Sequence, residues 1–402
     1  MINFRYIVNI LGRLLMVEGA GLALCIVIAL LYGENDLMAF VYSSLITLGV
    51  GALMTFSVKV KDRVLVKKDG YFIVTCIWIL LSLFGSLPFL IGGTIPSFAD
   101  AIFETVSGFT TTGASILNEV EALPHASLFW RALTHWLGGL GIIVLLIAIL
   151  PGLGIEGKDL YVAEVPGPTH DKITPTFRSM ARNMWVLYIA LTAGLVLLLS
   201  LGGMSLFDSV CHAFATMATG GFSTKTAGLA YWDSAYIQYV ITIFMFVAGI
   251  NFSLLHFALR GKIKKLFRDE EFRWYAAITL VSAAIIAVSL YFQQGMDAEE
   301  SVRESLFQVV TLLTTTGFVS ADYLQWPPVV CIILFLLLFL GASAGSTAGG
   351  IKCVRICLLF KNIYNEMKRI LHPNGVINVK YNGKSVHPAV LSRVMVFFIL
   401  YI

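Results

Sequence analysis

The sequence predicts an all-α polytopic membrane protein. Of its 402 residues, 58% are hydrophobic and 13% charged, about half the charged share of an ordinary soluble domain. Mean hydropathy is +0.84. Apolar stretches of about 20 residues, long enough to span a bilayer, recur along the chain.

Eight spans are expected, near 5–31, 36–58, 71–93, 127–151, 183–203, 234–259, 274–293 and 328–360. The first carries Arg5 and Arg13 and is followed by no small-residue cleavage site, so it is expected to stay as a helix. A ninth apolar stretch starts at Val394 and has nine residues (VMVFFILYI), so the native protein is expected to continue beyond Ile402.

Lys and Arg fall on alternate connections: 5 in 59–68, 4 in 152–183, 6 in 260–273 and 8 in 352–393, whereas the opposite loops hold Lys225 and Arg303. The positive-inside rule places the N-terminus and the four basic loops in the cytoplasm. Because topology accounts for these basic runs, nucleic acid is not expected as a partner. The six cysteines lie in or beside apolar stretches, where they act as small hydrophobes, so neither disulfides nor a metal cluster is expected. No nucleophile–base pattern points to an enzyme.

The connections after spans 3, 5 and 7 align without a gap as DAIFETVSGFTTTGAS (100–115), DSVCHAFATMATGGFS (208–223) and ESLFQVVTLLTTTGFV (304–319). In each, an acid (Asp100, Asp208, Glu304) stands thirteen residues before a glycine (Gly113, Gly221, Gly317). The stretch between suits a helix of about three turns, with the acid as N-cap or first-turn residue. Three copies between spans on one side predict re-entrant helices whose C-terminal partial negative charge faces a held cation. The turns would then supply backbone carbonyls, with glycine allowing close approach and the threonines keeping the flanking backbone extended.

A second feature is GASAGSTAGG, Gly341 to Gly350, following the twelve apolar residues Val329–Leu340. As a helix those twelve rise only about 18 Å of a roughly 30 Å hydrocarbon core, so the small-residue run begins inside the bilayer. Helix packing needs small residues on one face only, and here every face is small. The expectation is a flexible intramembrane loop, Gly341, Ala342, Ser343, Ala344, Gly345, Ser346, Thr347, Ala348, Gly349 and Gly350, tolerated because protein or a wet cavity surrounds it. Arg131 and His135 are expected to brace the turns from behind, and Asn251 to pack or kink its span.

At these motifs, with FWRALTHWLGGLGIIVL (129–145) and SAGSTAGGIK (343–352), the sequence resembles the Trk/Ktr/HKT superfamily of potassium transporters, specifically its TrkH type. The resemblance implies span–pore helix–span repeats about a pseudo-fourfold axis, as in a potassium channel folded from one chain. It divides the sequence into an N-terminal two-helix hairpin (1–69), repeats at 70–160, 161–265 and 266–371, and the start of a fourth at 372–402. The implied selectivity filter is Thr110, Thr111, Thr112, Gly113 and Ala114; Ala218, Thr219, Gly220, Gly221 and Phe222; and Thr314, Thr315, Thr316, Gly317 and Phe318. The loop 341–350 takes the role of gate.

Potassium is the implied ion, with rubidium or caesium as surrogates and no covalently bound cofactor. A homodimer in the bacterial inner membrane, attached to a cytosolic TrkA-type nucleotide-binding ring, is implied as the assembly. No nucleotide motif occurs in this chain, so nucleotide sensitivity is expected in the partner. The competing expectations are an ion-coupled secondary transporter that uses 341–350 as a broken helix for a small solute, and a membrane scaffold with packing glycines.

Overall fold

The structure, a computed structural model, describes residues 4–58, 67–139, 141, 177–372, 374–375 and 377–401. Most of the basic run 59–68, the second half of the span expected at 127–151 and most of the connector 152–183 lie outside the described residues. The chain is mainly helical and divides into two compact units.

The described residues of the first unit lie within 4–141, 177–245 and 316–320. Its long helices are α1 (Phe4–Tyr32), α2 (Leu37–Phe56), α3 (Lys67–Gly85) and, after the short α4 (Leu87–Ile91), α5 (Phe98–Phe109). Then come α6 (His125–Gly139), α7 (Phe177–Leu201), α8 (Leu206–Met217) and most of α9 (Ala235–Ala248). Small residues set the α1–α2 hairpin: a Cβ built on Gly12 meets the Gly51 carbonyl oxygen at 2.7 Å, a close crossing of the kind that packs helices where water supplies no driving force.

The short helices α5 and α8 start as their sequences require. Ser97 and Ser205 are N-caps whose hydroxyls accept from the Asp100 and Asp208 amides at 3.4 and 3.0 Å, with each aspartate in the first turn. Both helices are 12 residues long, the expected three turns.

The described residues of the second unit lie within 246–315 and 321–401. Its helices are the end of α9, α10 (Phe252–Leu259), α11 (Ile263–Arg268), α12 (Glu270–Ser289), α13 (Ala298–Leu313), α14 (Pro328–Leu338), α15 (Cys353–Leu371) and α16 (Pro388–Tyr401). Two expectations are corrected here. The span expected at 234–259 is two helices, bent by 108° at 249–251, because Asn251 leaves helical geometry and caps α10, accepting from the Ser253 and Leu254 amides. Glu304 is not a first-turn residue: α13 begins one turn earlier than its counterparts, after Asp297, and Glu304 pairs with Arg303 at 3.1 Å.

The span expected at 328–360 is interrupted as its composition requires. Helix α14 ends at Leu338, and β1 (Leu340–Gly341) pairs in parallel with β2 (Ile351–Lys352), closing a non-helical loop. At its neck a Cβ built on Gly341 falls 2.1 Å from the Gly349 carbonyl oxygen, so no larger residue fits there. A second small pair, β3 (Lys380–Tyr381) and β4 (Lys384–Ser385), forms a hairpin through Asn382 and Gly383, both at positive φ, as a two-residue Asn-Gly turn demands.

Candidate functional site

Each of the three turns follows the last residue of a short helix, and each repeats one backbone conformation. Thr110, Ala218 and Thr314 are right-handed helical C-caps, with φ of −78°, −78° and −84°. The next residues, Thr111, Thr219 and Thr315, take φ of 54°, 53° and 56°. Two places further, Gly113, Gly221 and Gly317 take φ of 76°, 85° and 79°. The left-handed threonines correct the expectation of extended backbone there. A β-branched residue in this region is strained by about 1–3 kcal/mol and is held only where the surroundings over-determine it.

Hydrogen bonds show what holds them. The Thr111 and Thr112 amides donate back to the Gly108 and Ser107 carbonyls at 3.1 and 2.9 Å, and those of Thr219 and Gly220 to Thr216 and Ala215 at 3.0 and 2.9 Å. The Thr315 amide likewise donates to Leu312 at 2.9 Å. The turns thus satisfy the end carbonyls of their helices in the manner of a Schellman cap, with threonine where glycine is usual.

Within the first unit the turns touch in series. A Cβ on Gly113 would lie 2.0 Å from the Gly220 carbonyl oxygen, and one on Gly221 would lie 2.0 Å from that of Thr316. The same contact therefore relates turn 1 to turn 2 and turn 2 to the end of turn 3. Among the described residues nothing lies within 4 Å on the Cβ side of Gly317.

Behind turns 1 and 2 sits a buried polar brace that the sequence only partly disclosed. Arg131, 3% exposed, donates from Nε to Glu104 Oε1 at 2.8 Å, from Nη2 to Ser115 Oγ at 3.2 Å and from Nη1 to the Ser223 carbonyl at 3.3 Å. Its guanidinium lies 4.1 Å from the centre of the Phe222 ring. Glu104 also accepts from Ser115 Oγ and the Ile116 amide. His135 is fully buried, with Nδ1 2.7 Å from the Gly108 carbonyl and Nε2 accepting from the Phe222 amide at 3.2 Å, which fixes the neutral Nδ1–H tautomer.

The alignment held the missed signal. Glu104, His212 and Gln308 occupy one position in the three copies. Glu104 and His212 both reach the serine eleven residues on, Ser115 at 2.9 Å and Ser223 at 2.9 Å.

In the second unit the loop 341–350 is fastened on several sides. The Ser343 amide donates to the Gly249 carbonyl at 3.0 Å, Asn251 Nδ2 to the Ala344 carbonyl at 2.7 Å, and the Phe252 amide to the Gly345 carbonyl at 3.0 Å. The break in the α9–α10 helix pair thus supplies the groups that hold the loop. The Gly349 amide donates to Thr315 Oγ1 at 2.6 Å, tying the loop to the third turn. Buried Glu271, unsuspected from sequence, accepts from the Ala344 amide, and buried Lys352 donates to the Ala348 carbonyl.

Residues 36–402 match the family model of TrkH, described as a cation transport protein. The chain belongs to the TrkH family. It is 38% identical to the Trk system potassium uptake protein TrkH of Salmonella typhimurium, over 99% of this chain and 83% of that protein. It is 39% identical to the TrkH of Halomonas elongata, over 100% of this chain and 84% of that one. The crystal structure of the potassium transporter TrkH from Vibrio parahaemolyticus superposes with a TM-score of 0.85 at 35% identity, covering 99% of this chain and 83% of the other. This TrkH-family chain is accordingly a multi-pass membrane protein with the TrkH fold.

Proposed function

We propose that this chain is a potassium-uptake subunit whose ion is held by backbone carbonyls of the turns 110–114, 218–222 and 314–318. The observation that carries the reading is the repeated alternation of φ sign with its amide groups turned back onto the helix ends. In an ordinary strand successive carbonyls face opposite sides; alternating handedness brings them toward one side. The same alternation can make an anion-binding nest when its amides are free. Here helix carbonyls take amides in all three turns and His135 takes that of Phe222, which disfavours an anion nest and supports a carbonyl-lined cation site. Rows of carbonyl oxygens replace the hydration shell of a monovalent cation, and relatives at 38% and 39% identity are named for potassium uptake.

In this reading the loop 341–350 is the gate, since it is non-helical at membrane depth and bonded to Thr315. The five segments 1–69, 70–160, 161–265, 266–371 and 372–402 form the hairpin and successive repeats about a pseudo-fourfold axis. The charge pattern orients the N-terminus and basic loops to the cytoplasm of the bacterial inner membrane, where a homodimer would meet a TrkA-type ring. The test is uptake in cells lacking potassium transport. Growth at low external potassium and rubidium uptake exceeding that of sodium are expected; growth without ion uptake, or uptake dependent on an organic solute, refutes the reading.

A further inference from the structure

The head of α12 carries three consecutive acids, Asp269, Glu270 and Glu271, and each fastens a different part of the second unit. Asp269 Oδ1 caps α12 at the Phe272 amide, 3.0 Å, while Oδ2 accepts from Asn382 Nδ2 at 2.7 Å. The Asn382 carbonyl oxygen of the side chain accepts in turn from the Glu270 amide at 2.9 Å. Glu270 pairs with Lys361 on α15, and Lys361 also donates to the Lys380 carbonyl at 2.8 Å. These two acids hold the β3–β4 hairpin and the middle of α15.

Glu271 does something different. It is 4% exposed, and a single oxygen, Oε1, accepts from the Ala344 amide at 2.7 Å and the Val354 amide at 3.1 Å. Those amides lie on either side of the segment 345–353, one in the small-residue loop and one in the first turn of α15. Lys352, at the N-cap of α15, makes no side-chain cap, so Glu271 supplies that cap from another helix. An anionic acceptor at a helix N-terminus is favourable, but helix stability alone does not call for the second bond to the loop.

We propose that Glu271 is the positioning residue of the ion pathway's gate: its carboxylate latches the 341–350 loop to the head of α15, and releasing it frees the loop. With Asp269 and Glu270 as neighbours, the latch shares a helix turn with the anchors of the β3–β4 hairpin. A displacement of that hairpin therefore bears directly on the latch. The inference rests on the loop acting as gate, and the loop's accessibility tests the latch independently of that role.

The experiment uses the full chain with Ser346→Cys as reporter, Ser346 lying half-buried in the loop. The rate of labelling by a water-soluble thiol reagent is measured against the protein lacking the reporter, together with rubidium and sodium flux per folded protein in vesicles. Glu271→Ala is expected to raise labelling and change rubidium flux by about tenfold or more, the factor for losing one charge-assisted hydrogen bond, at an unchanged rubidium-to-sodium ratio. Glu271→Gln, whose amide oxygen can accept from both amides, is expected to restore labelling and flux to within a few-fold. Parent-like labelling in Glu271→Ala overturns the latch. Increased labelling with unchanged flux overturns its role in gating and, with it, the loop as gate. Should Glu271→Ala fail to fold, Glu271→Asp, shorter by one methylene, is expected to raise labelling, and parent-like labelling there overturns the proposal.

Discussion

The Glu104–Arg131 pair offers the sharpest test of how turns 1 and 2 are held. Both side chains are buried, 0% and 3% exposed, and meet at 2.8 Å. Glu104→Gln keeps volume and an acceptor but leaves the guanidinium without its counter-ion, and a guanidinium cannot shed its proton. Breaking a buried pair on one side costs about 3–5 kcal/mol. Arg131→Met should cost less, because Glu104 keeps Ser115 Oγ and the Ile116 amide as donors. The double variant should recover part of the loss, with a coupling of about 2 kcal/mol. The assay is a double-mutant cycle on reversible unfolding in detergent, paired with the rubidium-to-sodium flux ratio in vesicles. That ratio should fall in Glu104→Gln because Ser115, Ser223 and Phe222 lose a common brace. A loss below about 1 kcal/mol for Glu104→Gln, or additivity in the double variant, refutes the claim that the pair acts as one unit.

Gly113→Ala and Gly221→Ala place a methyl 2.0 Å from a neighbouring turn's carbonyl, so both should lower the rubidium-to-sodium ratio, measured by paired tracer flux. Thr111→Gly relieves a left-handed β-branched residue and should leave the melting temperature unchanged or raised, whereas Thr315→Gly loses the bond to Gly349 and should alter flux. Gly345→Ala, at φ 71° and 3.1 Å from Asn251 Nδ2, should change flux more than selectivity. Glu121, outside the spans, is held below the usual carboxylate range chiefly by the Thr226 hydroxyl. A lowered value means its stabilising contribution is present above the unfolded value and lost as pH falls through the folded one. Parent and Glu121→Gln should therefore show the same flux profile between about pH 7 and 5.

Much of this was legible because hydrophobic length and repetition are one-dimensional signals. The three turns are legible by register alone, and a break at the small-residue run from Gly341 by counting rise per residue against membrane thickness; the helix ends slightly earlier, at Leu338. What escaped were contacts between segments distant in sequence. Asn251 announced a kink, but nothing in its neighbourhood says that its Nδ2 meets Ala344, 93 residues away. Glu271 sits in the run RDEEF and looks like an ordinary first-turn acid; only folding puts Ala344 and Val354 against it. Glu104 forms a column with His212 and Gln308, but three different residues share no obvious chemistry. Glu104 and His212 share reach: each bridges from the middle of a helix to the serine just past its turn.

The left-handed threonines tie these findings into one requirement. A turn that presents carbonyls with alternating handedness is conformationally costly at Thr111, Thr219 and Thr315, and an isolated turn would relax. Glycine at those positions would remove the cost, but it would also remove the hydroxyls that Thr219 donates to the Ala218 carbonyl and that Thr315 offers to the Gly349 amide. Threonine therefore trades backbone ease for side-chain anchorage, and the strain has to be resisted from outside the turn. Turns 1 and 2 have such resistance in Glu104, Arg131, His135 and His212, all nearly inaccessible to water. Turn 3 reaches the same brace through Phe318, whose ring centre lies 5.9 Å from that of His212, and also meets the loop through Thr315. A change in the loop consequently reaches the third turn through the Thr315–Gly349 hydrogen bond, while the brace at Arg131 holds the first two by their own contacts.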